Sequence, residues 1–409
     1  MPWPASGRDE DWRRSPQIDR LDPAAFAAGA DLGTQGSPPE YLREASGGPL
    51  AELGAVATLV CDPGGVVGEL SHPGSPGFDL APALRQEGGP WRTLMGTVAA
   101  PGLRKLVALN TAQLVGGAAV YVPAGVTIAR PVRVVLGGDR SGAAFPRVLV
   151  RLEAGSSLTL VEEWVSPDQD QALLCPVAEV ELADGAHLTH VVVQRCGSET
   201  VVQSTARVRV GREARYDLRW AALGSAWQKG YFEVELAGQA SEAKLVGLGL
   251  EQGRQHIDVQ TLQDHLAPGA VSDLLYRAAV ADRARSVYAG LIRVAVGAQK
   301  TNAYVQNRNL LLSPTAKADS NPTLEILAND VRCTHGSTAG RIDDDQLFYC
   351  QARGVPQDQA RRLVVEGFFA DVIDSFPEGA AREATRQWVL QGLARLAESG
   401  GLAGSPRAA

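Results

Sequence analysis

The chain has 409 residues, 45% hydrophobic and 21% charged, enough for one large domain or two to three ordinary ones with a sizeable core. Its 39 Lys and Arg against 46 Asp and Glu give a net charge of −7, which argues against nucleic acid or an anionic membrane as the main partner, since both select a basic face. Five cysteines scattered without any CxxC argue against a disulfide scaffold and favour a reducing, cytoplasmic setting.

The first residues, MPWPASGRDEDWRR, carry acidic groups and no apolar run, so they read as neither a signal nor a transit peptide. Residues 1–96 are Pro/Gly-rich and weakly periodic. They predict a loosely built, partly flexible N-terminal region, with a loop at Gly36–Glu40, a short strand near Val56–Val60, and turns at Pro63-Gly64-Gly65 and His72-Pro73-Gly74. Leu106–Ala129 holds no charge, but Asn110, Gln113, Pro123 and alternating apolar residues predict two strands and turns rather than a spanning helix, which needs about 20 apolar residues.

Over 97–335 short alternating segments recur: Val132–Leu136, Val148–Leu152, Leu158–Val161, Val177–Leu182, Ala206–Val210, Glu233–Leu236 and Ile292–Val296, separated by Gly, Asp or Asn. A β-run of this length makes a pair of sandwiches, a propeller or a solenoid. With only 6% aromatics and no recurring blade motif, a parallel β-helix with one continuous aliphatic core fits best. Over 336–409 the period becomes helical. Gln357–Phe376 places Ala360, Leu363, Val364, Gly367, Phe368 and Val372 on one face, expected to pack against the end of the β-helix. Pro377-Glu378-Gly379 breaks it, and Ala381–Glu398 repeats the pattern with Ala384, Trp388, Val389, Leu393 and Leu396 before a frayed tail, GLAGSPRAA.

Common catalytic signatures fail. Gly247-Leu-Gly249-Leu-Glu-Gln-Gly253 lacks the spacing and the βαβ setting of a dinucleotide fingerprint and predicts a tight turn between coils. Gly297-Ala-Gln-Lys300-Thr301 lacks the leading glycine of a phosphate loop, so the chain has no ATP site of its own, and GxSxG and HExxH are absent. Glu162 and Glu163 are adjacent carboxylates in a strand, which aims them to opposite faces. That weakens the rival reading of a β-helix enzyme acting on carbohydrate. Cys333 and His335, two apart in a β-region, share a face and pair a thiol with an imidazole, donors suited to iron or zinc. Asp330, Asp343, Asp344 and Asp345 are near enough in sequence to add oxygen ligands. Cys61, Cys175, Cys196 and Cys350 read as small core residues. Two ligands do not complete a metal site, so Cys333 and His335 point to an interface with a second chain.

Several stretches resemble the SufB/SufD family of iron–sulfur cluster assembly proteins: LNTAQLVGGAAVYVPAGVTIARPVRV (109–134), YAGLIRVAVGAQKTNAY (288–304), QNRNLLLSPTAKADSNPTLEI (306–326), DVRCTHGSTAG (330–340), DDDQLFYCQARGV (343–355) and ARRLVVEGFFADVI (360–373). The resemblance implies a right-handed parallel β-helix flanked by N- and C-terminal regions. It also implies a non-catalytic scaffold subunit that pairs with SufB and seats the SufC ATPase on its C-terminal helices, making Gln359, Arg362, Leu363, Glu366, Gly367 and Phe368 the candidate docking residues. It further implies that His335 faces a SufB cysteine across the interface, where a transient iron–sulfur cluster or iron is held, with Cys333 matching the family's cysteine in the same block. The position where SufB-like members carry a cysteine reads EEWVSPDQDQALLC here, without it, so the likeness favours SufD over a SufB-like paralogue. A homodimeric scaffold without SufB is a third reading. The first hundred residues match the family poorly, and His265 is expected to cap a turn between coils.

Overall fold

The computed structural model describes residues 12–15, 17–18, 40–62, 65–71, 77–79, 91–114, 116–138, 142–168 and 171–399. The loop at Gly36–Glu40, the turns at Pro63-Gly64-Gly65 and His72-Pro73-Gly74, and the tail GLAGSPRAA lie wholly or largely outside these residues.

The alternating segments form strands stacked in two parallel sheets. The first sheet runs through Val132–Gly137, Ser157–Val165, His187–Arg195, Arg215–Ala222, Glu242–Glu251, Val271–Val280, Asn302–Leu311 and Arg332–Arg341. The second runs through Gly117–Val122, Arg147–Leu152, Val177–Leu182, Val201–Val210, Trp227–Leu236, His256–His265, Arg285–Val294 and Lys317–Ile326. The chain visits the sheets in turn, so each circuit adds one strand to each. Val271 pairs with Asn302, 31 residues on, and Asn302 with Arg332, 30 further. This is the parallel β-helix that the pattern predicted, and its last strand extends the coil past the boundary drawn at 335. Part of the N-terminal region joins it: Ala57–Asp62 pairs in parallel with Val132–Gly137 and antiparallel with Gly65–Ser71.

Inward-facing residues form rows along the axis. One row sets Trp220, Gly247 and Tyr276 in register. Trp220 and Tyr276 stack at 5.5 Å, and Trp220 meets Phe232 at 5.0 Å. A Cβ on Gly247 would lie 2.0 Å from the indole, so only glycine leaves the ring its place. Gly247 and Gly249 are therefore mid-strand residues, not the expected turn. The turn belongs to Gly253, whose φ of +64° favours glycine.

Parallel sheets need cover on both faces. The helices are α1 (Glu40–Ser46), α2 (Trp91–Leu94), α3 (Lys105–Ala112), α4 (Asp344–Gln351), α5 (Gln357–Asp374) and α6 (Ala380–Glu398). Leu42 and Ala45 of α1 pack on Val135 and Val165 of the first sheet, and Trp91 and Leu94 of α2 on Ala119 and Leu149 of the second. Helix α3 replaces the first of the two strands expected over 106–129. Leu106, Val107 and Asn110 are buried at helical spacing, and Asn110 Nδ2 donates to the carbonyls of Pro146 (2.9 Å) and Cys175 (2.8 Å). Seven residues of alternation do not separate the two periods.

Helices α5 and α6 lie along the outer flank of the first sheet, against Val191, Val193, Val246 and Leu248, rather than on the end of the β-helix. The buried residues of α6 include Ala384, Trp388, Val389, Leu393 and Leu396, as predicted. In α5 the buried stripe is Ala360, Val365, Phe369, Val372 and Ile373, while Leu363 is 52% exposed and Gly367 is exposed. The Val364-Val365 and Phe368-Phe369 doublets let the pattern slip by one residue, a rotation of about 100°. The shape of the flank selects the second member of each pair. Among the described residues, no helix is long and apolar enough to cross a membrane.

Candidate interface site at the open end of the β-helix

The two ends of the solenoid differ. At the N-terminal end each sheet finishes in an antiparallel strand: Gly65–Ser71 lies against Ala57–Asp62, and Gly77–Asp79 against Gly117–Val122. At the other end, Lys317–Ile326 and Arg332–Arg341 are terminal in their sheets. No residue of either strand is buried, and Ile326 and the adjoining Leu327 are exposed. Ten-residue edges with unpaired backbone groups are templates for pairing with another chain.

Cys333 and His335 sit on this edge. Their rows identify the face: Ser272, Ala303 and Cys333 are in register, as are Leu274, Val305 and His335. Ala303 and Val305 are core residues, so the period-two expectation holds and both side chains occupy inward rows. Among the described residues no further coil stacks on them. His335 is consequently exposed and Cys333 half-buried against the core. Burial pushes the Cys333 thiol up, opposed by a hydrogen bond with the Ala303 backbone.

Two of the four expected oxygen ligands, Asp330 and Asp343, have other partners. Asp330 forms an ion pair with Lys300. Asp343 caps α4, its Oδ1 accepting from the Asp345 backbone N–H at 2.9 Å. Among the described residues no group of three or more His, Cys, Asp or Glu side chains is placed to hold a metal ion. The donors at this edge are Cys333 and His335, and a complete site needs ligands from outside the described residues.

Of the other cysteines, Cys61, Cys175 and Cys196 are buried, and burial pushes the Cys196 thiol up to about 12. Cys350 does not join the core but lies half-buried on α4, beside exposed Phe348 and Tyr349. His265 is the last residue of its strand, and its ring reaches across the turn that follows it. It faces the interior in a row with Leu236 and Val294, 2.8 Å from Ser272 Oγ, and burial holds it down at about 4.

Glu162 and Glu163 do point to opposite faces, and both are buried. Glu162 turns inward to Trp164 Nε1 (3.1 Å) and His190 Nε2 (2.9 Å); Glu163 turns outward to Arg133 (2.6 Å) and Arg195. Neither is presented to a substrate. Two examples show buried polar groups that the sequence does not single out. One is the inward His190, bonded to Tyr216 OH as well as Glu162. The other is the fully buried ion pair of Lys229 with Asp258 (2.6 Å), covered by Trp12 and Ser15. The signal was present as polar residues at core positions of alternating strands, but their partners are 26–29 residues away or far upstream.

Of the residues expected to dock a partner, Gln359, Leu363 and Gly367 line the exposed face of α5 at spacings of four. Arg362 and Glu366 flank them, paired at 2.7 Å. Phe368 departs from this set: it is half-buried, tilted against Phe369 with Arg277 over its ring, and its carbonyl accepts from Arg277.

A family model described as SUF system FeS cluster assembly, SufBD core domain, matches residues 134–368, more than half of the chain and inclusive of Cys333 and His335. The chain is 31% identical over 286 residues to the iron–sulfur cluster assembly protein SufD of Bacillus subtilis, covering 68% of this chain and 65% of that one. It is 29% identical over 253 residues to SufD of Escherichia coli (62% and 59%), and 28% identical over 292 residues to a SufBD family protein of Synechocystis (69% and 64%). The chain thus spans between 59% and 65% of the length of these relatives. A parallel β-helix over the matched span, and the match itself, lead to one assignment: the chain belongs to the SufBD family of iron–sulfur cluster assembly proteins.

Proposed function

We propose that this chain is a SufD-like, non-catalytic subunit of a cytoplasmic iron–sulfur cluster assembly scaffold. It pairs through its open end with a SufB paralogue and seats a SufC ATPase on α5, where hydrolysis is carried out by that partner. The observation that carries this reading is the C-terminal end of the solenoid: two parallel ten-residue edges with no buried residue, and His335 and Cys333 in inward rows that no described strand continues. A paralogue with the same coil would continue both sheets and bring its own ligands to the incomplete donor pair. Iron or a nascent cluster would be cargo of that junction, with His335 as the principal ligand from this side and Cys333 as the second. In isolation the same edges would pair two copies of this chain.

The test is co-expression with SufB and SufC homologues, comparing wild type with His335→Ala, followed by anaerobic purification and measurement of subunit composition, iron and sulfide. The expected result is an intact complex in both, with cluster content collapsing in the variant. Unchanged cluster content would remove His335 from the assembly site. Failure of the wild type to form a complex would overturn the SufD-like reading.

A further inference from the structure

A second concave site lies where α6 crosses the turns that follow the first-sheet strands. The strand His187–Arg195 that feeds it is five strands from Arg332–Arg341, about 24 Å at the usual spacing of ~4.8 Å. The cavity encloses about 430 Å³, within the range of small-molecule sites.

Its walls are rich in hydrogen-bond donors that the fold does not use. Arg195 reaches it from the solenoid and Arg395 from α6. The Arg195 guanidinium is stacked on the Trp388 ring at 4.2 Å, which fixes its plane. Its carboxylate partner, Glu163, is shared with Arg133, and its Nε has no hydrogen-bond partner among the described residues. Arg395, Ser198, Gln252 and Gln391 make no side-chain hydrogen bond or ion pair among the described residues. Among the described lining residues the carboxylate opposing these donors is Asp168, which penalises a highly charged ligand.

We infer that this cavity binds a small organic or inorganic oxyanion of one or two negative charges, a carboxylate or a phosphate. A guanidinium held flat and a second one lining the same cavity from another element suit planar or tetrahedral oxygens. The anion would bridge Arg195 on the coil to Arg395 on α6, fastening the helical layer to the solenoid. The inference rests on this cavity alone and stands apart from the assembly role of the open end.

The experiment is calorimetric titration of the purified full chain with succinate and, separately, inorganic phosphate at low salt, with uncharged succinamide as control. Wild type and Arg395→Gln are compared; because Arg395 is exposed and unbonded, the variant should melt as the wild type does. The expected result is saturable binding near one site per chain for at least one anion, weakened about tenfold or more in the variant. Binding of one anion only supports the site and narrows its ligand. Absence of saturable binding for both anions, equal binding by Arg395→Gln, or equal binding of succinamide would overturn the inference.

Discussion

Glu251 faces the interior with Ser286 Oγ donating to its Oε1 at 2.8 Å, and burial pushes its carboxyl from an ordinary 4.5 up to about 8. The folded state therefore binds a proton that the unfolded state releases, so stability falls as pH rises from about 4.5 through about 8. His256 and His265 act in the opposite direction. Burial lowers both from 6.5 to about 4, so the unfolded chain gains protons first and stability is lost as pH falls through that window. Glu251→Gln should flatten the alkaline loss, by an amount on the order of a few kcal/mol at pH 9. Urea midpoints of wild type and variant at pH 6 and pH 9 check this. Parallel losses would mean that Glu251 is not the titrating group. None of these shifts could be read from sequence, because Glu251, His256 and His265 resemble any surface residue until the coil encloses them.

Helix α5 has two faces with different duties. Phe369, Val372 and Ile373 are buried against the flank, and Arg277 ties the helix down through Asp371 (2.6 Å) and the Phe368 carbonyl. Arg219 adds a bond to the Ser375 carbonyl at 2.9 Å. Phe369→Ala should cost about 3–5 kcal/mol of stability, the usual penalty for emptying an aromatic core position. Leu363→Glu should change stability by less than about 0.5 kcal/mol, because half of the leucine already faces water. If α5 is the ATPase seat, Leu363→Glu should nevertheless lose the SufC homologue in a pull-down while Phe369→Ala loses the fold first. Retention of the homologue by Leu363→Glu would move the seat elsewhere. The existence, length and break of these helices were legible in their period. The rotation of α5 was not, because doubled apolar residues leave two faces nearly equivalent until a flank is supplied.

Over the whole molecule, cover is distributed unevenly: α1, α2, α3, α5 and α6 shield the outer faces of the coil, while the terminal strands stand bare. The Arg332 N–H donates to the Thr301 carbonyl, so by alternation the N–H groups of Cys333, His335 and Ser337 face away from the sheet. Ser337→Pro should thus leave the fold intact while blocking strand addition at the free edge. Size-exclusion with light scattering, alone and with a SufB homologue, would check this; association equal to wild type would show that the edge does not pair. The sequence by itself determined the β-helix, its helical C-terminal layer and the shared face of Cys333 and His335, because periods of 2 and 3.6 are local properties of the chain. Tertiary structure alone decided that Asp330 pairs with Lys300 and Asp343 caps α4, that Gly247 makes room for Trp220, and that Arg195 and Arg395 line one cavity. Each of those outcomes depends on the register between coils about thirty residues apart or on where a helix lands, and no local pattern encodes either.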